Sequence, residues 1–309
     1  MRVNRIAILC FFAVYVIWGS TYLAIKYAIE SFPAFGMSSA RYLFAGILMF
    51  LFSCYKKEKP LNEIEKKTAI ISGTVMVLAN GVVCVVEHWV PSGIVSVLVG
   101  GMPIWIMLMG WMFYGQAKPT WIKLTGALIG LGGIMLITLG DAVPTVTGIG
   151  RFGPLFLLIS SLLWAAGTLV QKKAKNLTSI ITFSYVQMLS GGLVTGVVSL
   201  IFEKPWEYID RPHSTSAIIA FVYLVTFGSL IAFTAYAWLS RNVEPHIVST
   251  YALVNPVIAI LLGSWFFKEP LSPDFLTASL LVIAGLALIM WKKKEVPAPQ
   301  TQTAIVTEQ

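Results

Sequence analysis

The stretches "VIWGSTYLAIKYAIESFP", residues 16–33, and "LLWAAGTLVQKKAKNLTS", residues 162–179, decide how this chain is built. Each sets a tryptophan inside an apolar run and a lysine eight residues later, Trp18 with Lys26 and Trp164 with Lys172. A shift of 146 residues superposes these pairs, together with Leu23 on Leu169, Ala28 on Ala174, Ser38 on Ser184, Leu43 on Leu189 and Gly46 on Gly192. A second shift, of 153, lays "VPSGIVSVLVGGMP" from Val90 onto "VEPHIVSTYALVNP" from Val243. It matches Ile94-Val95-Ser96 with Ile247-Val248-Ser249, Pro103 with Pro256, Gly110 with Gly263, Phe113 with Phe266 and Gly132 with Gly285. Apolar segments match one another easily, but an offset kept across Ser, Pro, Gly, Trp and Lys marks an internal repeat.

The solvent for which the chain is built follows from composition. Of its 309 residues 57% are hydrophobic and 12% charged, with a mean hydropathy of +0.80. Soluble domains carry about 25% charged residues. Ten apolar runs, near 6–28, 34–54, 68–87, 91–114, 121–139, 153–171, 180–202, 215–239, 246–267 and 274–291, are each long enough for a hydrocarbon core. The expected fold is an all-α polytopic membrane protein of ten transmembrane helices. Residues 1–142 form a first five-helix repeat, 143–294 a second, and 295–309 a disordered cytoplasmic tail with two prolines. Five spans per unit is odd, so the second unit enters the membrane upside down. Inverted repeats are a recurring transporter architecture, with the site near the midplane between them. The first run follows Arg2 and Arg5 as a signal peptide would, but it is too long for an h-region and reads as a retained helix. Cys10, Cys54 and Cys84 lie in or beside apolar runs, without ligand spacing.

A formal net charge of +8 raises the question of nucleic acid. With the N-terminus inside, sixteen of the twenty-two basic residues fall on the cytoplasmic side, including Lys56, Lys57, Lys118, Lys123, Lys172 and Lys292 to Lys294. That is the positive-inside bias, which puts both termini in the cytoplasm and makes nucleic acid a poor partner.

The opening from Tyr15 to Gly46, the run "VEHWVPSGIVSVLVGGMPIWIMLMGWM" and the run "YALVNPVIAILLGSWFFKEPL" together resemble the EamA-type permeases of the drug/metabolite transporter superfamily. The resemblance covers about residues 6–291. It implies two inverted five-helix repeats in the bacterial inner membrane, moving amino acids, other small metabolites or amphipathic compounds, often outward. One departure is visible. The fourth run ends in "YGQAKPT", where the family usually has a glutamate; Gln116 stands there, while Glu269 keeps the acid in the second half. A cap on the next helix is the job expected of that carboxylate.

Polar and ionisable side chains inside a span mark pathways or buried structural contacts. Arg41 lies eight residues past Pro33, about 12 Å along its helix; its repeat mate is Gln187. It serves either as a fixed charge for a carboxylate or as a structural group binding carbonyls. Glu87, beside His88, serves either as a proton carrier or as an ion-pair partner of Arg41 or Lys26. Trp18 and Tyr22 share a stripe with Lys26, and Trp164 and Thr168 share the matching one with Lys172; both line a pocket or pack helices. Lys26 is expected to snorkel outward beside Glu30, and Lys172 to join a cytoplasmic cluster with Lys173 and Lys175. Pro103 with Met102 and Trp105, and Pro256 with Tyr251 and Asn255, are expected to be symmetric mid-span kinks, hinges or packing features. Asn80 and Tyr236 add polar capacity. Gly126 and Gly130 permit close helix contact, inside the chain or in a homodimer.

The function expected is a secondary transporter for small amphipathic metabolites working by alternating access. The alternatives are a passive channel and, with less support, a membrane enzyme. Asp141, Asp210 and Asp274 lie outside the spans, and the three histidines are scattered. No catalytic residue, metal ligand or cofactor is called for. The expected partners are the small-molecule substrate, membrane lipid and, compatibly, a second copy of the chain.

Overall fold

A computed structural model describes residues 5–139, 148–174, 177–208, 211–243, 248 and 250–291. Arg2, the 142/143 boundary, Asp141, Lys175, Asp210, Ile247, Ser249, Lys292 to Lys294 and the tail from 295 lie outside them. Among the described residues the structure is a bundle of ten long helices: α1 (Arg5–Ile29), α2 (Ala34–Tyr55), α3 (Glu63–Val86), α4 (Ser92–Phe113), α5 (Trp121–Leu139), α6 (Gly153–Gln171), α7 (Ile180–Phe202), α8 (Thr215–Asn242), α9 (Tyr251–Phe267) and α10 (Pro273–Met290). Nine are long and apolar enough to cross a membrane, and α9 is a shorter apolar helix among the described residues. Large apolar side chains such as Phe44 on α2 (57% exposed), Leu193 on α7 (61%) and Leu280 on α10 (67%) cover the outside. Such a surface belongs in lipid; this is a multi-pass membrane protein.

Local sequence sets where the helices begin. Asn62 and Glu65 form a reciprocal capping box at α3, and Ser179, Ser214 and Ser272 accept from the third helical amide of α7, α8 and α10. The first turn of α2 is capped from the other repeat: Glu203, just past α7, accepts from Phe35 N (2.7 Å) and Gly36 N (2.9 Å). Inside lipid every amide must find such a partner, so the caps hold the halves in register as well as ending helices.

The inverted repeat is written into both packing and backbone. Helices α2 and α7, α4 and α9, and α5 and α10 each pack against their own repeat mate. Other contacts come in matched pairs: α1 on α9 as α6 on α4, α1 on α8 as α6 on α3, and α2 on α8 as α7 on α3. Positive φ angles recur at equivalent positions, Lys57 (52°) with Lys204 (48°) and Gly115 (64°) with Lys268 (52°).

Small residues let the backbones meet. A methyl group on Gly126 would fall 2.6 Å from the carbonyl oxygen of Gly285, and one on Gly133 2.6 Å from that of Ala278. The G-x-x-x-G of α5 therefore seats α10 of the same chain. Between helices, lipid supplies no hydrophobic drive, so this close van der Waals contact is the main source of cohesion.

Three helices depart from regularity. Turns of π-helix occupy Ala13–Ile17 in α1 and Leu224–Ile231 in α8. Helix α4 is broken at Gly101, with Pro103 in the first turn of its second half. By contrast α9 runs through Pro256 without a break, so the two prolines are not symmetric kinks. The ring of Pro256 instead lies against Gly100, where a Cβ would meet its Cγ at 3.1 Å.

Candidate functional site

The irregular turns surround an inner cavity of about 80 Å³ between the repeats. Trp18, Thr21, Tyr22 and Ile25 line it from α1, Arg41 and Tyr42 from α2, Asn80 and Val83 from α3, and Ser96 and Met102 from α4. The second half supplies Ser160, Trp164, Gly228, Phe233, Tyr251, Asn255 and Pro256. Trp18 stands at the centre of an aromatic cluster. Its ring is 5.0 Å from Tyr236, 5.3 Å from Tyr251 and 6.4 Å, edge-on, from Trp164. Carbonyls in the π-turns accept from side-chain donors as well. Trp18 Nε1 donates to Gly228 O (3.2 Å) in the π-turn of α8. The Asn255 amide nitrogen, in the orientation that satisfies it, donates to Tyr15 O (3.1 Å) in that of α1.

Arg41 is 3% exposed. Its Nε donates to Ser229 Oγ at 2.8 Å, its guanidinium lies 5.0 Å from the Tyr42 ring centroid, and its Nη1 has no partner. It makes no ion pair among the described residues. The repeat mate makes the neutral version of this contact: Gln187 Nε2 on α7 donates to Ser72 Oγ on α3 at 2.8 Å.

A wider vestibule, about 730 Å³, meets the inner cavity at Met102, Phe233 and Tyr251. It is lined by the loop from Gln116 to Thr120, by Lys123 in the first turn of α5, by Gln171 and Lys172 at the end of α6, and by Ile289 and Met290 at the end of α10. All of these lie on the face where α1 begins and α10 ends, so the vestibule opens to the face of the termini.

The opposite face is closed. Lys26 Nζ at the end of α1 lies 2.5 Å from Glu269 Oε1, and the Glu269 side chain is 7% exposed. The same carboxylate accepts from Ser92 N (2.8 Å), Ser92 Oγ (3.0 Å) and Gly93 N (3.2 Å), so it caps α4 and not the next helix, α10, which Ser272 caps. One carboxylate thus ties α1 and α4 of the first repeat to the α9–α10 loop of the second. Burial works against its ionisation, but the Lys26 hydrogen bond and the Ser92 and Gly93 amides outweigh it and hold the carboxyl below its ordinary value. Lys26 therefore does not reach outward to Glu30; Glu269 binds it within the bundle.

Glu87, one residue past α3, is 2% exposed with both oxygens unpartnered, and pairs with neither Arg41 nor Lys26. Burial pushes its carboxyl well above the ordinary range; Lys26 pulls it down and Glu269 adds to the rise.

Of the sequence candidates, Trp18, Tyr22, Arg41, Asn80, Met102, Trp164, Tyr251, Asn255 and Pro256 meet at the inner cavity. Pro103, Thr168, Gln187 and Tyr236 line the vestibule. Glu87 and Trp105 line neither cavity. Lys172 lies on the vestibule wall and is more than part of a surface cluster. The sequence reading passed over Thr21, Tyr42, Ser96, Ser160, Phe233 and Ser229. Thr21 and Ser96 carried a signal, since one follows Trp18 by three residues and the other stands in the repeated Ile-Val-Ser. Among the described residues no group of three His, Cys, Asp or Glu side chains is placed to hold a metal.

Comparison with known sequences fits this two-part organisation. The profile of the EamA-like transporter family matches residues 5–139 and again residues 151–291. The chain belongs to that family. This EamA protein is 35% identical over 301 residues to YedA of Escherichia coli K12, described as an uncharacterized inner membrane transporter, with 95% of each chain covered. It is 25% identical over 294 residues to the transporter YvbV of Bacillus subtilis (94% and 93% covered) and 25% identical over 295 to PagO of Salmonella typhimurium (94% of each). One solved crystal structure superposes with a TM-score of 0.64 at 16% identity, over 91% of this chain and 95% of the other, a likeness of fold alone. The EamA protein is accordingly a membrane transporter.

The family departure at Gln116 also has a place in the fold. Gln116 and Glu269 fold back over equivalent glycines, Gly110 and Gly263. Their backbone amides donate to those glycines' carbonyls at 3.0 and 3.3 Å. The two turns are alike, and only the second carries a charge.

Proposed function

We propose that the protein is an alternating-access carrier that exports small amphipathic metabolites, amino acids or related compounds, across the cytoplasmic membrane, with both termini in the cytoplasm. The observation that carries this reading is the aromatic inner cavity, sealed by Lys26 and Glu269 on one face and continuous with a vestibule on the other. A site between inverted repeats and open to one side is what a rocking-bundle carrier has in one of its two end states. A passive channel needs a path open to both faces at once, and the closed latch argues against it. The positive-inside bias of the sequence supports the orientation.

The test is uptake of a metabolite panel into proteoliposomes with and without an imposed pH gradient. A carrier gives flux that saturates with substrate and is lost in Trp18→Ala at unchanged protein yield. Flux that rises without saturation, or is indifferent to Trp18, removes this reading in favour of the channel.

A further inference from the structure

We infer that the inner cavity takes an organic anion, its carboxylate held by Arg41 and its apolar body by Trp18, Trp164 and Tyr251. The inference deepens the carrier reading and rests on it for the claim that this cavity is the transport site. Three observations carry it.

The first is the orphan charge. A guanidinium in a low-dielectric site needs an opposite charge or a full set of acceptors. Arg41 has one serine hydroxyl, one ring face and a buried Nη1 with nothing to bind. It is the one charged side chain among the described residues around the inner cavity. A carboxylate of matching planar geometry supplies the missing acceptors.

The second is the repeat mate. At the equivalent place on α7 a neutral amide, Gln187, bonds a serine of α3 as Arg41 bonds a serine of α8. Joining these helices therefore needs no charge. The charge of Arg41 is surplus to packing, which leaves ligand binding as its use.

The third is the approach. Lys118, Lys123 and Lys172 line the vestibule, and no Asp or Glu does so among the described residues. A cleft walled by one sign of charge raises the local concentration of the opposite ion. An anion is drawn in and then desolvated against aromatic faces. A cation meets repulsion at the mouth and no carboxylate inside.

The experiment uses the full-length protein in neutral-lipid nanodiscs, with tryptophan fluorescence reading equilibrium binding of 3-phenylpropionate, 3-phenylpropanol and 3-phenylpropylamine. These probes share one aromatic body and differ in charge. Wild type should bind the carboxylate at least about tenfold more tightly than the other two, the ratio one charge-assisted hydrogen bond gives. Arg41→Gln should bring the three together, Arg41→Lys should keep their order, and raising salt should slow association with wild type more than with Lys118→Gln/Lys123→Gln. Equal binding, a preference for the amine, or no binding of the carboxylate to wild type overturns the inference. If Arg41→Gln fails to fold, the wild-type order and the Arg41→Lys result still decide. Binding in the expected order without transport of any panel member would sink the carrier reading and leave the anion site. Saturable transport with the wrong order of binding does the reverse.

Discussion

Lys26 Nζ lies 2.5 Å from Glu269 Oε1, and these two residues stand 243 positions apart in the two repeats. With the α4 cap added, this carboxylate is one polar fastening of the closed face, beside the Glu203 cap on α2. A charge-assisted hydrogen bond is worth about 1.5–3 kcal/mol. Glu269→Gln is therefore expected to speed labelling of a Ser96→Cys reporter by a membrane-impermeant thiol reagent added to that face, in a background lacking Cys10, Cys54 and Cys84. An unchanged labelling rate would show that the latch does not hold the face shut.

Gln116 occupies the position equivalent to Glu269, and Lys172 the position equivalent to Lys26. Both line the open vestibule. Gln116→Glu restores the missing charge and is expected to favour closure of that face. A Gln187→Cys reporter should then label more slowly from the side of the termini, about fivefold for a gain near 1 kcal/mol. Faster labelling, or none of this protection, would refute a latch role for that turn.

The helices and their duplication were legible because lipid demands long apolar runs and because the Trp, Lys, Ser and Pro offsets persist. Arg41 was legible as a charge where charges are costly. Its partner was not, because Ser229 lies in a turn of π-helix, which leaves no periodic trace in sequence. The latch was hidden for another reason. Glu269 lies just beyond an apolar run and reads as a cap for the next helix until α4 is brought beside it. Gly126 and Gly130 announced a close contact, but only the packing order names Gly285 as its other side.

That contact gives a matched pair of substitutions. A methyl on Gly285 would fall 2.5 Å from both Gly126 O and Gly130 N, whereas one on Gly132 meets nothing within 4 Å. Overpacking typically costs about 1–3 kcal/mol. Gly285→Ala should lower the thermal midpoint in detergent by several degrees, and Gly132→Ala should leave it in place. Equal midpoints would mean that α5 and α10 are not cemented here.

Glu87 yields a prediction with a definite sign. Its carboxyl is raised above the ordinary 4.5, so the folded state favours the protonated form. Its contribution to stability is full below the ordinary value and is lost as pH rises through the raised one. Glu269, held low, acts in the opposite sense, its contribution failing as pH falls. Glu87→Gln should remove the loss of thermal stability that sets in as pH rises above the ordinary carboxylate value. A variant as pH-sensitive as wild type would assign that dependence to other groups.

The inner cavity and the vestibule are separated by Met102, Phe233 and Tyr251, and the polar contact in that partition is the Tyr251 hydroxyl on the Met102 sulfur at 3.8 Å. A thioether is a feeble acceptor on a side chain with three freely turning bonds. The route therefore presents a solute with resistances in ascending order: first a swinging methionine, then a guanidinium, last a fastened ion pair. In the proposed carrier a molecule would reach the middle by moving side chains alone, while the far door would open only when the halves themselves shift. On that proposal, the ordering would pass the cargo without leaking ions.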